Sequence, residues 1–203
     1  MKTLTGIDVS RETIDRLCKF EEIVLKWNPK INLIAKSTIG DVWDRHIKDS
    51  AQLFQYAPVN VSRWLDIGSG GGFPGIVMAA MSAGLGYNTE FTFVESDQRK
   101  STFLRAAARE LELKVIVLAE RVEETEAQNA DVITARALKS VSELMPMLDR
   151  HLAADGIAIL PKGRTFADEI PAARKNWRFD MAEHASITDA NARILIVKDI
   201  ASD

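Results

Sequence analysis

Residues 65 to 75 read LDIGSGGGFPG, an apolar run followed by Gly68, Gly70, Gly71, Gly72 and Gly75. A glycine-rich turn lets backbone approach a ligand closely. A phosphate, a dinucleotide or a methyl donor can all sit on such a turn. A phosphate loop ends in Gly-Lys-Ser/Thr, so that a lysine and a hydroxyl reach phosphate and magnesium. Here the loop ends in Phe73-Pro74-Gly75, and no Lys or Arg lies between Leu65 and Arg99. A dinucleotide turn needs Gly-x-Gly-x-x-Gly, whose third glycine would fall at Phe73. The spacing that fits is Gly68-x-Gly70-x-Gly72. A donor without phosphate needs no lysine, and Asp66 beside the loop suits a cationic ligand. Glu95, at the end of the next apolar run, is placed to accept hydrogen bonds from two ribose hydroxyls. Dinucleotide folds use the same acidic position, so Glu95 alone does not discriminate. The plainer alternatives are a tight strand-to-helix turn for the glycines and a solvated strand end for Glu95.

These residues need elements to position them. Residues 10 to 27 carry Ile14, Leu17, Val24 and Leu25, with Cys18 and Phe20 nearby, as a helical apolar stripe. Ser10 is the expected N-cap, and Pro29 the expected end. A second helical pattern spans about residues 39 to 56 and closes at Pro58. Residues 1–60 therefore read as a helical cap without strands, and 61–203 as the ligand-binding domain. From Ser62 the pattern changes. Strands are expected at WLDI, FTFVE, VIVLA, DVITA and GIAILPK, with helices at GIVMAAMSAGL, 98–111, 141–152 and 164–176. MAEHASI and ARILIVKDI complete seven strands as an antiparallel pair at the sheet edge. The alternation predicts an α/β fold, a doubly wound, mostly parallel seven-stranded sheet. Its ligand crevice lies at the carboxyl ends of the strands. This directs attention to Gly68–Gly75, Glu95, 119–123, Arg136 and Lys162.

Composition removes other chemistries. The chain has 203 residues, 46% of them hydrophobic, and a formal net charge of -3. That fits an ordinary globular protein and argues against a nonspecific nucleic-acid coat. Cys18 is the only cysteine, which leaves no intrachain disulfide and no multi-cysteine zinc site. Three scattered histidines give no ligand spacing, so no metal is expected. No long apolar run or signal-type leader occurs, so no membrane span and a cytoplasmic location are expected.

Asp-Ile-Gly-x-Gly-x-Gly after the first strand resembles the S-adenosylmethionine (SAM)-dependent methyltransferases of class I, with their Rossmann-like sheet. Methylation of cytosine C5 needs a nucleophilic cysteine. Cys18 lies on the helical stripe, where a small core residue is the expected role. The Asn/Asp-Pro-Pro-aromatic mark of amine methylation is absent, because that place reads Thr134-Ala135-Arg136-Ala137. A closer resemblance spans about residues 20 to 198. NLIAKS (32–37), RHIKDS (45–50), IGSGGGFPGI, Arg121-Val122-Glu123-Glu124, Thr134-Ala135-Arg136-Ala137, Leu160-Pro161-Lys162-Gly163 and Arg193-Ile194-Leu195-Ile196-Val197 occur in order. Together they resemble the bacterial RsmG (GidB) family, which methylates N7 of a guanine in 16S ribosomal RNA. Ser69 stands where that family usually has Thr, and Ala135 where it often has Ser.

The resemblance implies SAM as methyl donor and S-adenosylhomocysteine as product. It implies SAM contacts at Gly68, Phe73, Val122, Glu123 and Arg136, beside Asp66, Gly70, Gly72 and Glu95 already singled out. It implies 16S RNA, in the 30S subunit, as partner, and a monomer. Guanine N7 carries a free lone pair and no proton, so no catalytic base is expected. Arg136 and Lys162 are candidates to hold the guanine O6 edge or a phosphate. For Arg136 the alternative is an ion pair with a nearby carboxylate; for Lys162 it is a solvated strand end. Lys26, Lys30, Lys36, Arg45, His46 and Lys48 in the cap, with Lys100 and Arg164, form the candidate basic set for RNA. Trp27 and Trp43 are expected in the core rather than as stacking platforms.

Overall fold

The apolar runs after Ser62 pair into one seven-stranded sheet of order β5-β4-β3-β6-β7-β9-β8 in a computed structural model that describes residues 2–202. Its strands are β3 (Arg63–Ile67), β4 (Glu90–Val94), β5 (Val115–Leu118), β6 (Ala130–Thr134), β7 (Leu152–Lys162), β8 (Trp177–Ala185) and β9 (Arg193–Ser202). β3 pairs in parallel with β4 and with β6, while β9 runs antiparallel to both β7 and β8. The chain leaves β3 toward β4 and β5 on one side and returns to β6 on the other. This reversal opens a crevice at the carboxyl ends of β3 and β6. The α/β expectation holds, with the antiparallel pair at one edge.

Helices α3 (Gly75–Gly84), α4 (Gln98–Glu110), α5 (Val141–His151) and α6 (Phe166–Ala173) connect the strands. Their starts are fixed locally. The Asp97 carboxylate accepts from Arg99 N and Lys100 N to begin α4. Ser140 and Glu143 form a reciprocal capping box at the start of α5. Strand side chains alternate between two cores. Trp64, Phe91 and Phe93 pack with α1 (Arg11–Ile31), α3 and α4, and Leu65, Ile67 and Val94 pack with α5.

The N-terminal segment departs from expectation in four ways. Residues 2–9 form a short antiparallel hairpin, β1 (Lys2–Leu4) and β2 (Ile7–Val9), turned through Gly6 at φ 84. Helix α1 (Arg11–Ile31) continues past Pro29. The proline forgoes a bond to the carbonyl of Leu25, which lies on the exposed side. Asn28 then closes the end, accepting Asn32 N on its carbonyl and Ile34 N on its side chain. Cys18 and Leu25 are exposed, because the buried stripe runs through Ile14, Leu17, Phe20, Val24 and Asn28. The second helical pattern is present but changes pitch. It passes through a 3₁₀ segment (Lys36–Asp41), a π segment (Trp43–Lys48), α2 (Asp49–Ala51) and a second 3₁₀ segment (Gln52–Tyr56). Trp27 and Trp43 are half-buried against the α1 side of the sheet, as expected of core residues.

Candidate active site at the β3–β6 crevice

The glycine turn leaves β3 folded back on the sheet. Gly68 N and Ser69 N both donate to Val94 O, at 2.8 and 3.2 Å, and Ser69 Oγ donates to Asp66 O. Gly68, Gly70 and Gly72 adopt φ of 67, 51 and 83, where side chains are strained. A Cβ at Gly70 would meet only Gly68 O at 3.7 Å and otherwise project into open space. At Gly75 a Cβ would sit 2.6 Å from Asp66 Oδ2 and 2.8 Å from Phe93, so α3 starts in direct contact with β3 and β4.

A cavity of about 350 Å³ opens over this turn, within the range of small-molecule sites. Gly68, Gly70, Phe73, Glu95, Val122, Glu123 and Arg136 line it. The fold therefore gathers seven of the nine singled-out cofactor residues on one wall. Asp66 and Gly72 do not line it: Asp66 is buried on β3, and Gly72 lies within the turn. Ser69, within the singled-out turn, lines the cavity too, as do Ser96, Leu138 and Lys139, which lie outside the stretches singled out from sequence. Lys139 stands three residues beyond Arg136, past the strand end where the sequence marks the crevice.

Glu95 is buried and does two things. Its Oε2 accepts Gly70 N and its Oε1 accepts Asp97 N, each at 2.8 Å. A carboxylate has about four acceptor sites, so both oxygens keep capacity for a ligand hydroxyl. Asp66 is wholly buried; Thr134 Oγ1 donates to its Oδ1 at 2.6 Å, and Trp64 Nε1 donates to Thr134 in turn. Burial pushes its pKa up to about 6, against the pull of the Thr134 and Ser69 hydroxyls.

Val122 presents a turn held from behind. His151 Nε2 lies 3.0 Å from Val122 O, and Arg150 Nε and Nη2 both donate to Thr125 O. Glu123 pairs with Lys139 at 3.1 Å, and local backbone and Lys139 contacts hold its carboxyl below the usual range.

Arg136 is the hinge of the site. Its Nη1 pairs with Asp49 at 3.3 Å and its Nη2 donates to His46 Nδ1 at 2.8 Å. Its Cζ lies 5.2 Å from the Phe73 ring centroid, and His46 packs on the same ring at 5.0 Å. Since Nδ1 accepts from a guanidinium, the proton sits on Nε2, which reaches Thr38 Oγ1 at 2.8 Å. Burial first, then the charges of Arg136 and Arg45, pull His46 down to about 4. His46 is thus neutral and structural at the site, which corrects its place in the basic set. The ion-pair alternative for Arg136 is realised with Asp49, and burial lowers its pKa while Asp49 raises it.

A second cavity, of about 470 Å³, shares Arg136, Ala137 and Lys139 with the first. Lys162 lines it but is only 10% exposed, donating to Lys139 O at 2.7 Å and to Glu169 at 2.9 Å. It is neither a solvated strand end nor a free cation. Arg45 and Arg193 reach the same cavity from the helical segment and from β9.

Residues 13–196 match the family model described as rRNA small subunit methyltransferase G, GidB. A ribosomal RNA small subunit methyltransferase G of Ruegeria sp. (strain TM1040) is 48% identical over 96% of this chain and 94% of that one. Its namesake in Rhodospirillum centenum (strain ATCC 51521 / SW) is 46% identical over 95% and 87%. Among solved structures, the ribosomal protein L11 methylase of Lactobacillus delbrueckii subsp. bulgaricus superposes with TM-score 0.61 at 17% identity, over 76% and 78% of the chains. A TehB-like SAM-dependent methyltransferase of Corynebacterium glutamicum gives 0.57 at 15% identity, over 90% and 98%. At these identities the structural likeness establishes the fold: the class I, Rossmann-like methyltransferase sheet.

Proposed function

We propose, from the premise that this chain belongs to the rRNA small subunit methyltransferase G (GidB) family, that it transfers a methyl group from SAM to N7 of a specific guanine in 16S ribosomal RNA. The observation that carries this reading is that two cavities share Arg136, one over the glycine turn and Glu95 and the other lined by Arg45, Lys162 and Arg193.

The first cavity fits SAM. Glu95 has spare acceptor capacity for the ribose hydroxyls, and Gly68 and Gly70 leave room where side chains would intrude. Val122 and Glu123 would meet the adenine by packing and backbone, and Phe73 would lie against the donor. Asp66 and Gly72 would act indirectly, by charge and by loop shape. SAM supplies an electrophilic methyl and leaves as S-adenosylhomocysteine.

Everything else falls to this chain's own groups. Guanine N7 needs no deprotonation, and the one imidazole at the junction has both nitrogens engaged, with Arg136 and Thr38. Rate enhancement would come from aligning acceptor and donor and excluding water. Arg136 would hold O6 while Asp49 and His46 fix its fork. Arg45 and Arg193 at the second cavity would meet phosphate.

The target base must leave its stack to enter, so the substrate is structured RNA in the 30S subunit rather than free guanine. We further propose a cytoplasmic monomer in which residues 1–60 and 61–203 fold as one unit. Among the described residues no helix is long and apolar enough to cross a membrane. Incubation with labelled SAM and 30S subunits, followed by base mapping, tests the assignment. N7-methylguanine in the small-subunit RNA is expected; label confined to protein or to another base overturns it.

A further inference from the structure

The second cavity contains three carboxylates, and their bonding separates them. Asp49 is committed on both oxygens: Oδ1 accepts from Gln52 and Thr188, and Oδ2 from Arg136. Asp189 accepts Asn191 N on Oδ1 and faces Arg45 with Oδ2 at 3.7 Å. Glu169, near the start of α6, is different. Its Oε2 accepts Val141 N at 2.8 Å and Lys162 Nζ at 2.9 Å, while Oε1 accepts from no described group. The side chain is 22% exposed, so it is clamped on one oxygen and open at the other. Lys162 is itself fixed by Lys139 O. The result is a rigid anionic acceptor on the same cavity as Arg136.

Guanine is complementary to that pair. Its O6 accepts, and the neighbouring N1–H and N2–H₂ donate along the same edge. Adenine offers an amine where O6 would be and a bare acceptor where N1–H would be, so it would set donor against Arg136 and acceptor against Glu169. We propose that Glu169, positioned by Lys162 and Val141 N, reads the N1–H and N2–H₂ edge of the target base and so selects guanine. This rests on the second cavity being the acceptor-base site, the reading given above.

Glu169→Gln gives a sharp test. Val141 N–H and the Lys162 ammonium both need an acceptor at the Oε2 position, so the amide oxygen must take it. The amide NH₂ then replaces Oε1 and meets the guanine donors as a donor. Small-subunit particles reassembled with guanosine or inosine at the target position provide the probe, since inosine lacks the N2 amine. Wild type should methylate guanosine faster than inosine by about tenfold or more. Glu169→Gln should shrink that ratio to about threefold or less, chiefly by slowing guanosine. A purely structural role would slow both substrates by one common factor, and that result overturns the proposal. Equal wild-type rates on the two bases overturn it without any variant, should Glu169→Gln fold poorly. Absence of N7 methylation of guanosine by wild type would instead remove the function on which it rests.

Discussion

Arg136 donates to Nδ1 of a neutral His46 at 2.8 Å, and both lie over the ring of Phe73. The guanidinium fork is thereby oriented by three partners: an imidazole, the Asp49 carboxylate and an aromatic face. A lysine supplies one point charge and cannot engage them together. Arg136→Lys is expected to lower kcat/KM for methyl transfer by about tenfold to a hundredfold, with a smaller change in SAM affinity. Steady-state kinetics alongside SAM calorimetry check this. A variant with wild-type kcat/KM would remove Arg136 from the positioning role.

Glu95 ties the glycine turn to the start of α4 through Gly70 N and Asp97 N. Glu95→Ala should weaken SAM binding by about 1–3 kcal/mol, because a charged acceptor is lost. Glu95→Gln keeps one acceptor oxygen and should fall between. Calorimetric dissociation constants measure both, and an unchanged value for the alanine variant would contradict the ribose role.

Gly75 admits no side chain without movement, since a Cβ would press on Asp66 Oδ2 and on Phe93. Its backbone is otherwise ordinary helix, so strain in φ plays no part. Gly75→Ala should destabilise the fold by about 1–3 kcal/mol through overpacking. Urea unfolding would show a lower midpoint at unchanged slope.

Asp66 and His46 impose opposing pH dependences on stability. Asp66 is pushed up to about 6 from 3.8, so its contribution is full below its unfolded value and is lost as pH rises through about 6. The shift corresponds to roughly 3 kcal/mol. His46 is pulled down to about 4 from 6.5, so the unfolded chain binds the extra proton and stability rises with pH across that window. Asp66→Asn should leave stability climbing more steeply between about pH 4 and 6, and His46→Gln should leave it falling. Urea midpoints across this range separate the two, and parallel profiles for both variants would refute the assignment.

Parts of this site were legible because they are local. The turn at Gly68–Gly72 and the acid at Glu95 sit just after apolar runs, where strand-to-helix connections place ligands. The short hairpin at 2–9 was not legible, since three-residue strands are too brief to show alternation. Nor was the helical continuation through Pro29, which depends on where the helix meets solvent. Cys18 is exposed for a related reason: it sits one residue off the buried face, next to Leu17, where the apolar stripe of the sequence includes it.

The sequence by itself determined the alternation of strands and helices, the glycine spacing, and the set of residues that end the strands. Those follow from periodicity and backbone preference, which act over a few residues. Only the tertiary structure decided the state of the charged groups. His46 became a neutral acceptor, Asp66 a buried acid, and Lys162 a clamp for Glu169. Solvation and pairing set the charge on a side chain, and both come from partners far away in the chain. Arg136 finds His46 and Asp49 across 90 and 87 residues, a separation that no local pattern encodes.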